Sequence, residues 1–396
     1  MNLAIGLGIS FAVLIYVAQK NLYLAMFAAA TIMGLITLPF KEFIHQVYLT
    51  FSDPSIVSLS SLVFLIAMIG GILEESGGMA DLVKNMRIGK KPFLAASPAL
   101  LGMLPMPGGA LLSAPMVDRS GKELEGSTKA ALNVWFRHIL FLVYPLSTAL
   151  IASAKIAKLT VYSTIPFLFP FFLLAFFLGY FFYLREASEK MEYEGDFSLK
   201  GLLVPLTVIL LAPIIDIVIK STINPEVTEL ATLIGVFVSF VAAVLVSGYR
   251  GKKLLEVGKK MKPWSFSLII FGMFTFLNVF VSSGAPETLG KADIPLPLLL
   301  VVIAFVLGLA TGRIQAPISI VVPIFLARFG ESSMPLIAFS ITYFSVFVGY
   351  AISPIHPCVS VSIEYFDTSI RDYVGKLVYP SAISLGVLII ISYFIL

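Results

Sequence analysis

Arg313 is the side chain whose chemistry is easiest to name from its setting. It lies in Thr311-Gly312-Arg313-Ile314-Gln315-Ala316-Pro317, inside an otherwise apolar stretch. A guanidinium there can hold a carboxylate through two parallel hydrogen bonds, with Thr311 and Gln315 as polar neighbours and Gly312 admitting close main-chain approach. The plainer alternative is an arginine that snorkels or binds loose carbonyls. Arg137 and His138 pose the same choice, because at 1.5 Å per residue they lie about 11 to 12 Å into their apolar span. They either neutralise substrate or pair with main chain. His356 sits between Pro354 and Pro357, where an imidazole titrating near neutral pH could carry a coupling proton or simply be a hydrogen-bonded structural residue.

Hydroxyls and glycines gather at the same kind of place. Ser147 and Thr148 follow Pro145, Ser353 precedes Pro354, and Ser360 lies just beyond. At helix breaks such groups can bind substrate or ligate Na+, while half-helix N-termini attract anions. Equally, they can satisfy main chain beside a membrane proline. Gly108, Gly109 and Ser113 offer a similar set in Met106-Pro107-Gly108-Gly109-Ala110, and Asn278 and Thr311 add polar groups that could serve a coupling ion. Asp216 and Lys220 have the spacing of a helical ion pair, and Lys155 and Lys158, closing their span, are expected to snorkel.

These residues are embedded in lipid-soluble chain. The 396 residues are 58% hydrophobic and 13% charged, with a mean hydropathy of +0.97, too few ionisable groups to solvate a soluble protein of this size. The class is an all-α, multi-pass membrane protein. A formal charge of +4 reflects lysines and arginines beside apolar runs, which orientation explains without nucleic acid. One cysteine, Cys358, excludes an internal disulfide and a multi-thiolate metal site, and nothing calls for a cofactor. The N-terminal run lacks a basic flank and cleavage site and is expected to be a retained span.

A span needs roughly 20 apolar residues, and ten are found: 3–18, 22–39, 56–73, 130–157, 160–184, 201–220, 229–248, 264–282, 334–363 and 377–396. Stretches 93–117 and 295–326 are interrupted by Pro and Gly. With the basic clusters at 84–91, 119–129 and 250–262 placed in the cytoplasm, ten spans thread only if both interrupted stretches are re-entrant hairpins. The termini then fall outside.

The halves echo each other. Ser76-Gly77 and Ser283-Gly284 are 207 apart, Met106-Pro107-Gly108-Gly109 and Ile314-Gln315-Ala316-Pro317 are 208 apart, and Pro145 and Pro354 are 209 apart. This predicts two inverted repeats of five transmembrane helices plus one hairpin. Repeat one is 1–185 (hairpin 93–117, broken helix 130–157), a cytoplasmic linker is 186–200, and repeat two is 201–396 (hairpin 295–326, broken helix 334–363). Interrupted segments at matching positions point to a transport site near the midplane.

On Leu104-Pro105-Met106-Pro107-Gly108-Gly109-Ala110-Leu111-Leu112-Ser113-Ala114-Pro115, Asn133-Val134-Trp135-Phe136-Arg137-His138 and Gly312-Arg313-Ile314-Gln315-Ala316-Pro317, the chain resembles the ion transporter superfamily. More narrowly it resembles a family of prokaryotic predicted permeases grouped with the gluconate permeases. The resemblance implies a homodimer in the cell membrane, an elevator-type transport domain carrying both hairpins and both broken helices, and coupling to H+ or Na+. The Ser-Asn-Thr hairpin signature of the dicarboxylate/Na+ branch is absent from both tips.

The function expected is secondary active transport of a small carboxylate anion. An ion or solute channel would share the hairpins, and an intramembrane enzyme is the remaining alternative. No H-E-x-x-H or G-x-S-x-G motif is present, and His45, His138 and His356 have no local metal-ligand spacing.

Overall fold

Proline and capping chemistry cut the apolar chain into twenty α-helices in the computed structural model, which describes residues 2–106, 109–187, 191, 193, 195–223 and 225–395. The order runs α1 (Asn2–Ala18), α2 (Leu22–Thr37), α3 (Phe40–Ser52), α4 (Pro54–Glu75), α5 (Gly78–Lys84), α6 (Lys90–Gly102), α7 (Ala110–Ser120), α8 (Gly126–Ile139), α9 (Thr148–Ile156) and α10 (Val161–Gly179). It continues with α11 (Leu199–Thr222), α12 (Thr228–Ser247), α13 (Lys252–Met261), α14 (Pro263–Ser282), α15 (Ala285–Gly290), α16 (Ala304–Thr311, preceded by the π-turn Leu298–Ile303), α17 (Gln315–Phe329), α18 (Leu336–Ile352), α19 (Pro357–Tyr365) and α20 (Ile370–Ile395). Among the described residues there is no strand.

The second ten helices repeat the kinds and order of the first. Pro54 and Pro263 each occupy the first turn of the fourth member, where a missing N–H costs nothing. Gly77 and Gly284 precede the fifth at φ +80° and +70°, a left-handed conformation that glycine adopts freely. The eighth and ninth members are parted at Pro145 and Pro354. Ser147 caps α9 by accepting from the Leu150 N–H at 3.4 Å.

Packing interlocks the two sets. α2 lies on α14 and α4 on α12, while α6 lies on α8 and α16 on α18. The short arms cross over, α19 against α7 and α8, and α9 against α17. Seven helical stretches are long and apolar enough to cross a membrane. Their burial differs: the hydrophobic window of Leu336–Tyr365 is 89% buried, whereas those of α10 and α20 are 28% buried. Lipid can cover such exposed apolar faces.

Four helices lie outside the apolar runs: α3, α5, α13 and α15. α3 and α13 are short amphipathic segments, and α13 was expected only as a basic loop. Its Val257 and Met261 nonetheless pack on α4, where a Cβ at Gly71 would fall 2.3 Å from Met261 Cγ. Lysines on its other face stay wet, Lys260 reaching Glu75 at the end of α4. Lys155 has two partners: Glu229 on α12 lies 3.0 Å away, and Ser55 accepts a hydrogen bond from it. Asp216 and Lys220 do form an ion pair, at 2.9 Å, with the Tyr162 hydroxyl donating to the same carboxylate at 2.7 Å.

Candidate functional site

The first half of one broken helix and the second half of the other meet around Arg137. Glycine makes room for it: a Cβ at Gly102 would fall 1.8 Å from the Arg137 carbonyl oxygen, and one at Gly109 would fall 2.0 Å from its Nη2. Arg137 is therefore held with its main chain against α6 and its guanidinium against the start of α7. It is 3% exposed, its Nη1 has no hydrogen-bond partner, and its side chain lies beside the Cys358 thiol.

His138 is equally buried, and its Nδ1 pairs with the Val134 carbonyl at 2.7 Å. A ring that donates from Nδ1 presents its Nε2 lone pair on the other side. The rings of His138 and His356 are 4.8 Å apart and nearly perpendicular, and Tyr350 packs on both, at 5.1 and 4.1 Å. Neither ring nitrogen of His356 has a partner at full hydrogen-bond geometry, and the Gly312 main chain is the polar group that approaches the ring. Gly312 sits at φ +58°, so the second tip turns there and brings half-buried Arg313 close enough for its charge to act on Tyr350, His356 and Cys358.

Asn133, one helical turn before Arg137, fastens the junction. Its amide donates to the Ala110 carbonyl at 3.2 Å and to Ser362 Oγ at 3.0 Å, linking α7, α8 and α19, while its Oδ1 is unpartnered. Neither Arg137 nor Arg313 has an ion-pair partner among the described residues. Glu74 is the carboxylate whose charge acts on Arg137. Donor atoms of His138, His356 and Cys358 come within 4.8 Å of one another, a soft donor set in type. Two guanidinium charges beside it oppose a cation and favour an anion.

Of the residues singled out from sequence, Arg137, His138, Arg313, His356 and Gly109 converge here. Ser113 is buried one turn into α7, donating to the Ala110 carbonyl at 3.3 Å. Thr311 and Ser353 donate to the Leu307 and Leu309 carbonyls, both at 2.7 Å, and so close the end of α16. Gln315 opens α17. Ser147 and Thr148 belong to the other junction, where α9 meets α17, with Ser147 beside Tyr343 of α18. Asn278 is remote from the cluster, donating to Thr50 on α3 at 2.9 Å. Ser360 is exposed, and Gly108 lies outside the described residues.

Cys358, Tyr350 and Asn133 are members that sequence reasoning did not assign. Cys358 follows His356 by two residues and Asn133 precedes Arg137 by four, spacings that place each near a named candidate. Tyr350 carries no such signal.

An all-helical fold with seven apolar candidate spans and a buried polar junction defines a multi-pass membrane protein. The fold is shared with a transporter: the crystal structure of the Alcanivorax borkumensis YdaH transporter superposes with a TM-score of 0.60 at 15% identity, over 93% of this chain and 95% of that one. Residues 4–396 match the family described as "Protein of unknown function (DUF401)", and the chain belongs to it. No curated protein matches.

Proposed function

We propose that the protein is a secondary active transporter of a small carboxylate-bearing anion, held between Arg137 and Arg313 and coupled to H+ or Na+. The observation that carries this is that Arg137 and Arg313 both act on Tyr350, His356 and Cys358 while neither has an ion-pair partner among the described residues. Buried charge without a partner is costly, and a bound anion supplies what is missing. The first turns of α7 and α19, which pack against each other, would add main-chain donors.

The recurring helix order and the crossed short arms support an inverted-repeat transport domain built from α6–α10 and α16–α20. Helices α1–α4 and α11–α14 would form the scaffold past which it moves. Exposed faces such as those of α11 and α12 suit a scaffold dimer in the cell membrane. The likeness to the ion transporter superfamily points the same way, and favours a carrier over an enzyme.

Purified protein screened by thermal shift against gluconate, tartrate, succinate and citrate, with and without Na+, tests the binding step. A ligand of the folded state raises the melting temperature. Reconstituted protein should then exchange the binding acid by counterflow, and uptake without counterflow would make it a channel. No shift with any acid, at any Na+ concentration, would refute the anion site.

A further inference from the structure

We propose that the His138–His356 pair takes up one proton from solution as the anion binds between Arg137 and Arg313, so that anion and proton cross together. The inference deepens the carrier reading above and rests on it. His356 is 2% exposed with both ring nitrogens unpartnered. A buried polar group left so carries its desolvation cost uncompensated. The arrangement makes sense if its partner is the cargo.

Charge then dictates the order of events. Facing the pair are Arg137 from α8, Arg313 from the second tip, Tyr350 from α18 and Cys358 from α19, with Tyr343 and Tyr373 behind Tyr350 and Glu74 acting on Arg137. In the empty site a third positive charge beside two guanidiniums is opposed. A carboxylate lodged between them offsets their charge and accepts a hydrogen bond from an imidazolium, which makes protonation favourable. The bulk supplies the proton, a ring N–H bond forms, and no covalent bond breaks.

One proton per pair follows from the spacing. Two imidazolium rings 4.8 Å apart would repel strongly, and His138 already commits Nδ1 to Val134. His356, whose ring nitrogens make no full hydrogen bond and are approached by the Gly312 main chain, receives the proton, and the His138 Nε2 lone pair is the neighbouring acceptor. By linkage, binding that takes up one proton tightens about tenfold for each unit the pH falls while the pair is neutral in the empty site.

The test titrates each acid from the thermal-shift panel that binds, measuring proton uptake in weakly buffered detergent solution and the Kd across pH. Wild type should take up about one proton per chain, with the tenfold slope. His356→Gln and His356→Asn, checked for an intact unfolding transition, should lose the uptake and the slope together. Unchanged uptake in both variants, or binding that follows Na+ and ignores pH, would overturn the proposal while leaving the carrier reading intact. Failure of every acid to bind removes the carrier reading itself.

Discussion

The molecule contains two junctions related by the 209-residue offset that links Pro145 to Pro354, and they have opposite character. At one, α8 meets α7 and α19 and contributes Asn133, Arg137 and His138. At the other, α17 meets both α18 and α9, and the matching positions are Thr342, Val346 and Phe347. Thr342 turns back to its own helix, donating to the Ala338 carbonyl at 2.9 Å, and the glycine contact recurs without a charge: a Cβ at Gly308 would meet the Val346 carbonyl oxygen at 2.6 Å. The offset also pairs Ser147 with His356 and Ala149 with Cys358. A close glycine contact thus occurs at both junctions, while the buried charge sits at only one of them.

Removing the charge should have the largest effect. Arg137→Ala and Arg313→Ala each truncate one partner of a buried charged contact, a loss of about 2 to 5 kcal/mol, so anion affinity in direct binding should fall on the order of 100-fold. Retained affinity in both would move the site elsewhere. Arg313→Lys should keep part of it, since the charge survives but the fork does not.

Adding charge to the uncharged junction comes next. Val346→Arg should cost roughly 3 kcal/mol, seen as a lowered melting temperature in detergent, and should confer no second anion site. A stable variant with doubled binding stoichiometry would mean the junctions are interchangeable. Gly109→Ala should be milder. Its methyl group displaces the Arg137 guanidinium without touching the helix contact at Gly102, weakening binding about tenfold, an effect of ~1.4 kcal/mol, while the melting temperature holds. The smallest effect belongs to the scaffold: Asn278→Ala loses one hydrogen bond to Thr50, about 1 kcal/mol of stability, and anion Kd should be unchanged.

Much of this contrast was legible in the chain. Proline and glycine mark the breaks because they remove N–H groups or admit left-handed turns, so the interruptions around Pro145, Pro354, Gly109 and Gly312 could be placed by residue. The seven long apolar stretches follow from hydropathy alone. α3 and α13 did not, because a helix lying with one face wet has a mean hydropathy near that of a loop. Arg137, His138 and His356 stood out as ionisable groups deep in apolar spans, but their convergence depends on the crossing of α19 over α7 and α8, a long-range contact with no local signal. For the same reason nothing local separated Ser147, beside Tyr343 at the other junction, and Asn278, bonded to Thr50 on α3, from the residues that converge at Arg137.

Cys358 gives the most direct test of where the anion sits. It is the only cysteine in the chain, half-buried beside Arg137, so its alkylation by a small maleimide can be followed in the unmodified protein. Saturation with a binding acid from the panel should slow that alkylation several-fold, with the concentration dependence of binding itself. An alkylation rate indifferent to a bound acid would place the anion outside the Arg137–Arg313 junction and contradict the account.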